Sequence, residues 1–187
     1  MTVRMFLFLF MFAASLLTPF SGALATEMLA RAETRMPEDK PSLDHPLSIN
    51  KVLVRKSERR LYLMDDQEVV RSYRISLGDN PEGHKLYEGD KRTPEGHYQL
   101  DWRNADSDFY KSIHISYPNE RDQELAEAWG LDPGGSIMIH GLPNDAGDMA
   151  FAYTGLDWTN GCIAVTNEEM DEIWSLVSDG TPISILP

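Results

Sequence analysis

Two residues of the chain have the types and the spacing for covalent catalysis. Cys162, the only cysteine among 187 residues, lies in WTNGCIAV at Trp158–Val165. His140 ends the run SIMIH, 22 positions before the cysteine, and is followed by Gly141. A thiolate attacks a carbonyl once a nearby base has taken its proton, and backbone N–H groups can hold the oxyanion that forms. Cys162 follows the turn TNG and opens the strand-like CIAV. That places it at a sheet rim, where the N–H groups of Gly161 and Cys162 can form an anion-binding concavity. The spacing lets two neighbouring strands bring the imidazole and the thiol together. The competing reading of His140 is a histidine bonded to a strand neighbour.

The elements that must position this pair are mostly strands. KVLVRK, RLYLM, VVRSYRISLG, HYQLDW, SIHISY, SIMIH, CIAV and TPISIL are short β-favouring runs. In the third run Tyr73, Ile75 and Leu77 make one apolar face. Residues 79–95 are rich in Gly, Pro, Asp and Asn and must form a long loop. Two helices stand out. One covers about Glu120–Trp129, with Leu125, Ala128 and Trp129 at helical spacing. The other begins at a capping box, Thr166 with Glu169, and carries Met170, Ile173, Trp174 and Val177 on one face as core, with Gly180 ending it. Eight strands and two short helices predict a mainly β chain, β-rich α+β. The fold expected is a largely antiparallel sandwich or partly closed barrel.

The N-terminus predicts export. Arg4 precedes the apolar stretch at residues 5–17, helix breakers follow, and Ala23–Ala25 offers a small-x-small cleavage site. The stretch is too short for a bilayer, which needs about 20 residues. Cleavage after Ala25 leaves 162 residues, enough for one domain, with net charge −14; an uncleaved anchor is the competing reading. Residues 26–49 read as a linker or loose arm, and 50–187 as the catalytic domain. The expected compartment is a bacterial periplasm. A lone thiol there is a liability unless buried or used. So acidic a chain is not expected to bind nucleic acid or anionic lipid through a general field. The five histidines are scattered, without metal-site clustering, and neither metal nor other cofactor is expected.

The two motifs in order, IHG and then [ST]-x-G-C-apolar, resemble the L,D-transpeptidase catalytic domain family (YkuD). VVRSYRISLG and RTPEGHYQL at Arg92–Leu100 resemble further segments of that family, so the likeness covers roughly residues 51–187. It implies a mixed β fold around a cleft and a cysteine acylated by a peptidoglycan stem peptide, in the service of cell-wall biogenesis and cell shape. Cys162 would be the nucleophile and His140 the base, with the Gly161 and Cys162 N–H groups near the oxyanion and the Gly141 carbonyl orienting the imidazole. Two positions depart from the pattern. Asn160 stands where the family commonly has histidine, and Ala164 where it often has a basic residue. Asn160 can orient by hydrogen bonds but cannot exchange a proton near neutral pH.

Three further residues are candidates for the cleft. His84 lies in the long loop, His114 alternates with Ile113 and Ile115, and Trp158 flanks the cysteine turn. A surface histidine competes for His84, a solvent-facing one for His114, and a core side chain for Trp158. The leading function is a monomeric cysteine acyltransferase forming L,D-crosslinks between stem peptides. A hydrolase giving the same thioester to water, either a carboxypeptidase or an amidase, is the alternative. A non-catalytic wall-binding module would need neither Cys162 nor His140. A thiol-redox role lacks a second cysteine to resolve a mixed disulfide.

Overall fold

The structure is a computed structural model that describes residues 48–187. The expected leader and nearly all of the expected linker fall outside those residues.

Each predicted run forms a strand: β1 (Lys51–Arg55), β2 (Arg60–Asp65), β3 (Glu68–Arg74), β4 (Gly96–Ser107), β5 (Tyr110–Ile115), β6 (Met138–His140), β7 (Ile163–Ala164) and β8 (Thr181–Leu186). They make one mixed sheet in the order β3-β2-β1-β8-β4-β5-β6-β7. The β1–β8 and β6–β7 pairs are parallel and the rest antiparallel. The mainly β class is borne out, and of the sandwich and the partly closed barrel expected, the single sheet corresponds to the second. No ladder joins the edges β3 and β7, so the sheet is not closed. The chain leaving β3 instead crosses to the β7 edge, where Ser76 and Ala164 exchange two N–H···O bonds of 2.9 Å. Tyr73, Ile75 and Leu77 are all buried on this path, as their alternation predicts.

Both predicted α-helices form. α1 (Glu120–Ala128) is capped by Asn119, whose side chain accepts from the Asp122 N–H, while Asp122 accepts from the Asn119 N–H. α2 (Asn167–Leu176) carries the predicted Thr166–Glu169 box, with reciprocal bonds of 3.2 and 2.9 Å. α2 buries Met170 and Ile173 and leaves Trp174 half-buried, with the Arg103 guanidinium 5.0 Å from its ring centre. It stops at Leu176, before Gly180, which serves the turn into β8. The buried stripe of α1 is Asp122 and Ala126, four residues apart, whereas Leu125 and Trp129 are exposed. Spacing alone could not reveal that a capping carboxylate faces inward there. A 3₁₀ helix at Gly147–Tyr153 has no sequence signature that marked it in advance. No helix among the described residues is long and apolar enough to cross a membrane.

Side chains alternate across the sheet, and the register at its β5–β6–β7 end places the candidate residues. Ser112 pairs with His140, Ile113 with Ile139, and Ile139 with Ile163. The three isoleucines are fully buried in the core. Ser112, Met138 and His140 therefore share the opposite face, and Cys162 enters β7 beside it.

Candidate active site

Cys162 is held by a turn built from its own sequence. Thr159 Oγ1 accepts the Gly161 N–H at 3.1 Å and donates to the Cys162 carbonyl at 2.8 Å. The Thr159 backbone is tied to the strand extension, its N–H reaching the Leu77 carbonyl and its carbonyl accepting from Asp79. Glycine is required at 161: φ is +127°, and a Cβ would stand 2.7 Å from the Arg92 carbonyl oxygen. The Gly161 N–H is thus engaged by Thr159 and is not free in this structure. The Cys162 N–H has no hydrogen-bond acceptor among the described residues. Its thiol lies 3.6 Å from the carbonyl oxygen of Ser136, a residue at φ +56°.

His140 sits at the end of β6, and its Nδ1 is 2.7 Å from the Gly141 carbonyl oxygen. A carbonyl only accepts, so Nδ1 carries the proton and Nε2 is left with the lone pair. Two aromatic rings flank the imidazole, Phe109 at 4.6 Å and Trp158 at 5.8 Å between centroids. Gly141 is itself pinned, its N–H within 3.1 Å of the Phe109 carbonyl and 3.2 Å of that of Lys111. The Val165 N–H donates to the His140 carbonyl at 3.0 Å, which couples the histidine strand to the cysteine strand.

Cys162 and His140 line one cavity of about 680 Å³, together with Asn160 and Trp158. Burial pushes the Cys162 thiol up from its ordinary range, opposed by a Met138 backbone hydrogen bond and the charge of Lys85. Burial likewise pushes His140 down, opposed by its bond to Gly141. Both directions favour a neutral resting pair, thiol and imidazole. Proton transfer then accompanies attack on a carbonyl rather than preceding it.

The other predicted histidines are elsewhere. His84 Nδ1 accepts from the Glu95 N–H at 3.0 Å and its Nε2 is 3.2 Å from Asp122, stitching the long loop to α1. His114 does point away from Ile113 and Ile115, but it is bound to Asp101 at 2.7 Å and stacks on Trp102. Neither lines the cavity. Ala164 is buried and lines a small recess with Arg74 and Gly155, and it is not among the residues that line the cavity. Residues that sequence reasoning missed include Phe109, Ser112, Ser136 and Lys85, all of which line the cavity. Ser112 alone had a usable signal, since it shares the alternation of His114. Among the described residues, no group of three or more His, Cys, Asp or Glu side chains could hold a metal ion.

Comparison with known proteins agrees with this fold. Over 129 residues the chain is 35% identical to the protein of Escherichia coli (strain K12) named "Putative L,D-transpeptidase YafK"; the match takes in 66% of this chain and 45% of that one. The chain thus spans about half the length of this relative. Among solved structures, the helical cell shape determining protein Pgp2 from Campylobacter jejuni superposes with a TM-score of 0.55 at 27% identity, over 76% of this chain and 51% of that one. Bd1075 from Bdellovibrio bacteriovorus shares the fold, with a TM-score of 0.51 at 22% identity, over 75% of this chain and 48% of that one. Residues 49–185 match the L,D-transpeptidase catalytic domain family, YkuD, and the chain belongs to it.

Proposed function

We propose that this protein is an exported cysteine acyltransferase acting on peptidoglycan stem peptides. The observation that carries the reading is the fixed tautomer of His140: the Gly141 carbonyl holds Nδ1–H, which leaves Nε2 basic in the cavity that also receives the thiol. In the proposed cycle, Cys162 Sγ attacks a stem-peptide carbonyl as its proton passes to His140 Nε2. The Cys162 N–H supports the oxyanion. The C–N bond breaks, the leaving amine takes the proton from the imidazolium, and a thioester remains. An amine of a second stem then attacks the thioester, loses its proton to His140, and an L,D-crosslink forms with the thiol restored. The N-terminal leader directs export, and cleavage after Ala25 releases residues 26–187 into the periplasm.

Transfer to water is the second reading, and one observation favours it. Asn160 and Ala164 are both uncharged, so neither of the two departing positions presents a cation there. The test incubates the mature domain with disaccharide tetrapeptides and reads the products by mass spectrometry. A crosslinked dimer is expected, with trimmed tripeptide alongside it if water competes. Cys162→Ser should yield neither product and should form no adduct with a carbapenem. Equal adduct yield on the serine variant would refute the assignment.

A further inference from the structure

A second group of side chains stands outside the cavity and in line with the nucleophile. β4 carries a bulge: Leu100 pairs with Ile115 and Arg103 with Ile113, so Asp101 and Trp102 both oppose His114. A bulge re-aims side chains that strict alternation would send to opposite faces. Here it brings three of them together. Asp101 Oδ1 is 2.7 Å from His114 Nδ1, and the Trp102 ring stacks on the imidazole, with centroids 4.8 Å apart and planes 15° from parallel. The imidazole covers one face of the indole, yet Trp102 is 44% exposed, so its other face and its rim meet solvent. The Asp101 side chain at that rim is 39% exposed. The strand register places this platform. His114 pairs with Met138, which lines the cavity, and Ile139 pairs with Ile163, which sets Cys162 level with Met138. Cys162, Met138, His114 and the bulge therefore form one row across the neighbouring strands β7, β6, β5 and β4. Three strand spacings of about 4.8 Å set β4 about 14 Å from the cysteine. Three extended residues span about 10–11 Å, so a sugar attached three residues before an attacked carbonyl reaches the platform. The ligand chemistry fits as well. In a chain of net charge −13 an anion is repelled, and the Asp101 carboxylate is already engaged by His114, which disfavours a cation. A pyranose ring is uncharged. The C–H groups on its flat face meet the negative face of an indole, and its hydroxyls reach the polar rim.

We propose that Trp102, with Asp101 at its rim, is a saccharide subsite that stacks the sugar ring bearing the stem peptide while that stem occupies the cavity. The inference rests on the acyl-transfer reading above and adds the glycan to what the protein grips. One stacking contact and one hydrogen bond correspond to about a 10-fold preference for a substrate that keeps its sugars.

The experiment measures kcat/KM for a disaccharide tetrapeptide and for the same tetrapeptide without sugars. Wild type is expected to prefer the first by about 10-fold, mostly through KM. In Trp102→Ala the ratio is expected to collapse to within about 2-fold, while Trp102→Phe retains it in part. If Trp102→Ala does not fold, Trp102→Leu keeps apolar bulk without an aromatic face and is read the same way. Because the result is a ratio within one protein, a shared loss of activity cancels. A second readout needs no turnover: a neutral N-acetylglucosamine trimer should shift the Trp102 indole N–H resonance, assigned by its loss in Trp102→Phe. A shift caused by N-acetyl-lysinamide and not by the trimer would mark a cation site and overturn the proposal. A wild-type ratio near unity overturns it too. So does a ratio that survives Trp102→Ala, which would leave the indole as a cover for the His114–Asp101 pair. If wild type consumes neither substrate, the acyl-transfer reading falls and the titration alone decides: an indole shift with the trimer upholds the saccharide subsite, and no shift removes it.

Discussion

Gly141→Ala isolates the orientation of the base from its chemistry, because it leaves the imidazole in place. A Cβ at Gly141 would stand 2.6 Å from Asn167 Oδ1, 2.9 Å from Tyr110 Cβ and 3.2 Å from the Phe109 carbonyl oxygen. An ordinary contact begins at 3.4 Å, so the first gap is short by about 0.8 Å. Tyr110 Cβ opens β5 and the Phe109 carbonyl belongs to the β4–β5 turn, so neither can swing aside. Asn167 can, but its Oδ1 accepts the Leu142 N–H at 2.9 Å, and that bond would be lost. Overpacking costs about 1–3 kcal/mol and the lost hydrogen bond about 1 kcal/mol more. The strain falls on the peptide whose carbonyl holds His140 Nδ1. A displacement near 1 Å at a catalytic group costs about 100-fold in rate. Acylation of Cys162 by a carbapenem, followed by intact-protein mass spectrometry, should therefore slow by about that factor, and urea denaturation should show the stability loss. Removing the nearest clashing atom in Gly141→Ala/Asn167→Ala should make the two stability costs less than additive. Acylation within about 3-fold of wild type at unchanged stability would refute the view that this carbonyl orients the base.

Three further outcomes follow from the same site. His140→Ala should slow acylation by about 100-fold or more at retained far-UV circular dichroism. In wild type the rate should rise with pH along one limb as the imidazole loses its proton; since burial pushes His140 below its ordinary 6.5, the midpoint should lie under that value, and a midpoint at or above it would contradict the buried-base reading. Thr159→Val should cost about 1–3 kcal/mol of stability, for two lost hydrogen bonds, and should slow acylation by loosening the cysteine turn; a variant equal to wild type in both would show that glycine geometry alone sets the turn.

Strands were legible because alternation and β-branched residues act locally. Ile113, Ile115 and Leu100 announce a buried face within a few residues of sequence. The capping box of α2 was legible for the same reason, being a contact between residues three apart. The apolar face expected of α1 failed because Asp122, a polar residue, is buried by its bonds to Asn119 and His84, the second of which lies 38 positions upstream. A single open sheet could not be told from a sandwich, because strand order is set by pairings such as β1 with β8, at opposite ends of the domain.

The candidate site divides along the same line. Cys162 and His140 were found because each lies in a short motif, and Gly141 because a missing side chain beside a histidine permits close approach. Lys85 was invisible for a physical reason. In sequence it is one charged residue in a polar loop, which reads as solvated surface. Only the fold turns it inward, because Asp90 gathers three backbone N–H groups and the ammonium into one buried cluster. That cluster gives the loop a rigid interior without an apolar core of its own. The same argument explains why the cation expected near the cysteine need not come from position 164. Ala164 is enclosed beside Ser76 at the sheet edge and does not line the cavity, whereas Lys85 and Lys91 of the loop do. The buried cation at the cavity is thus supplied by topology, from a residue 77 positions before Cys162.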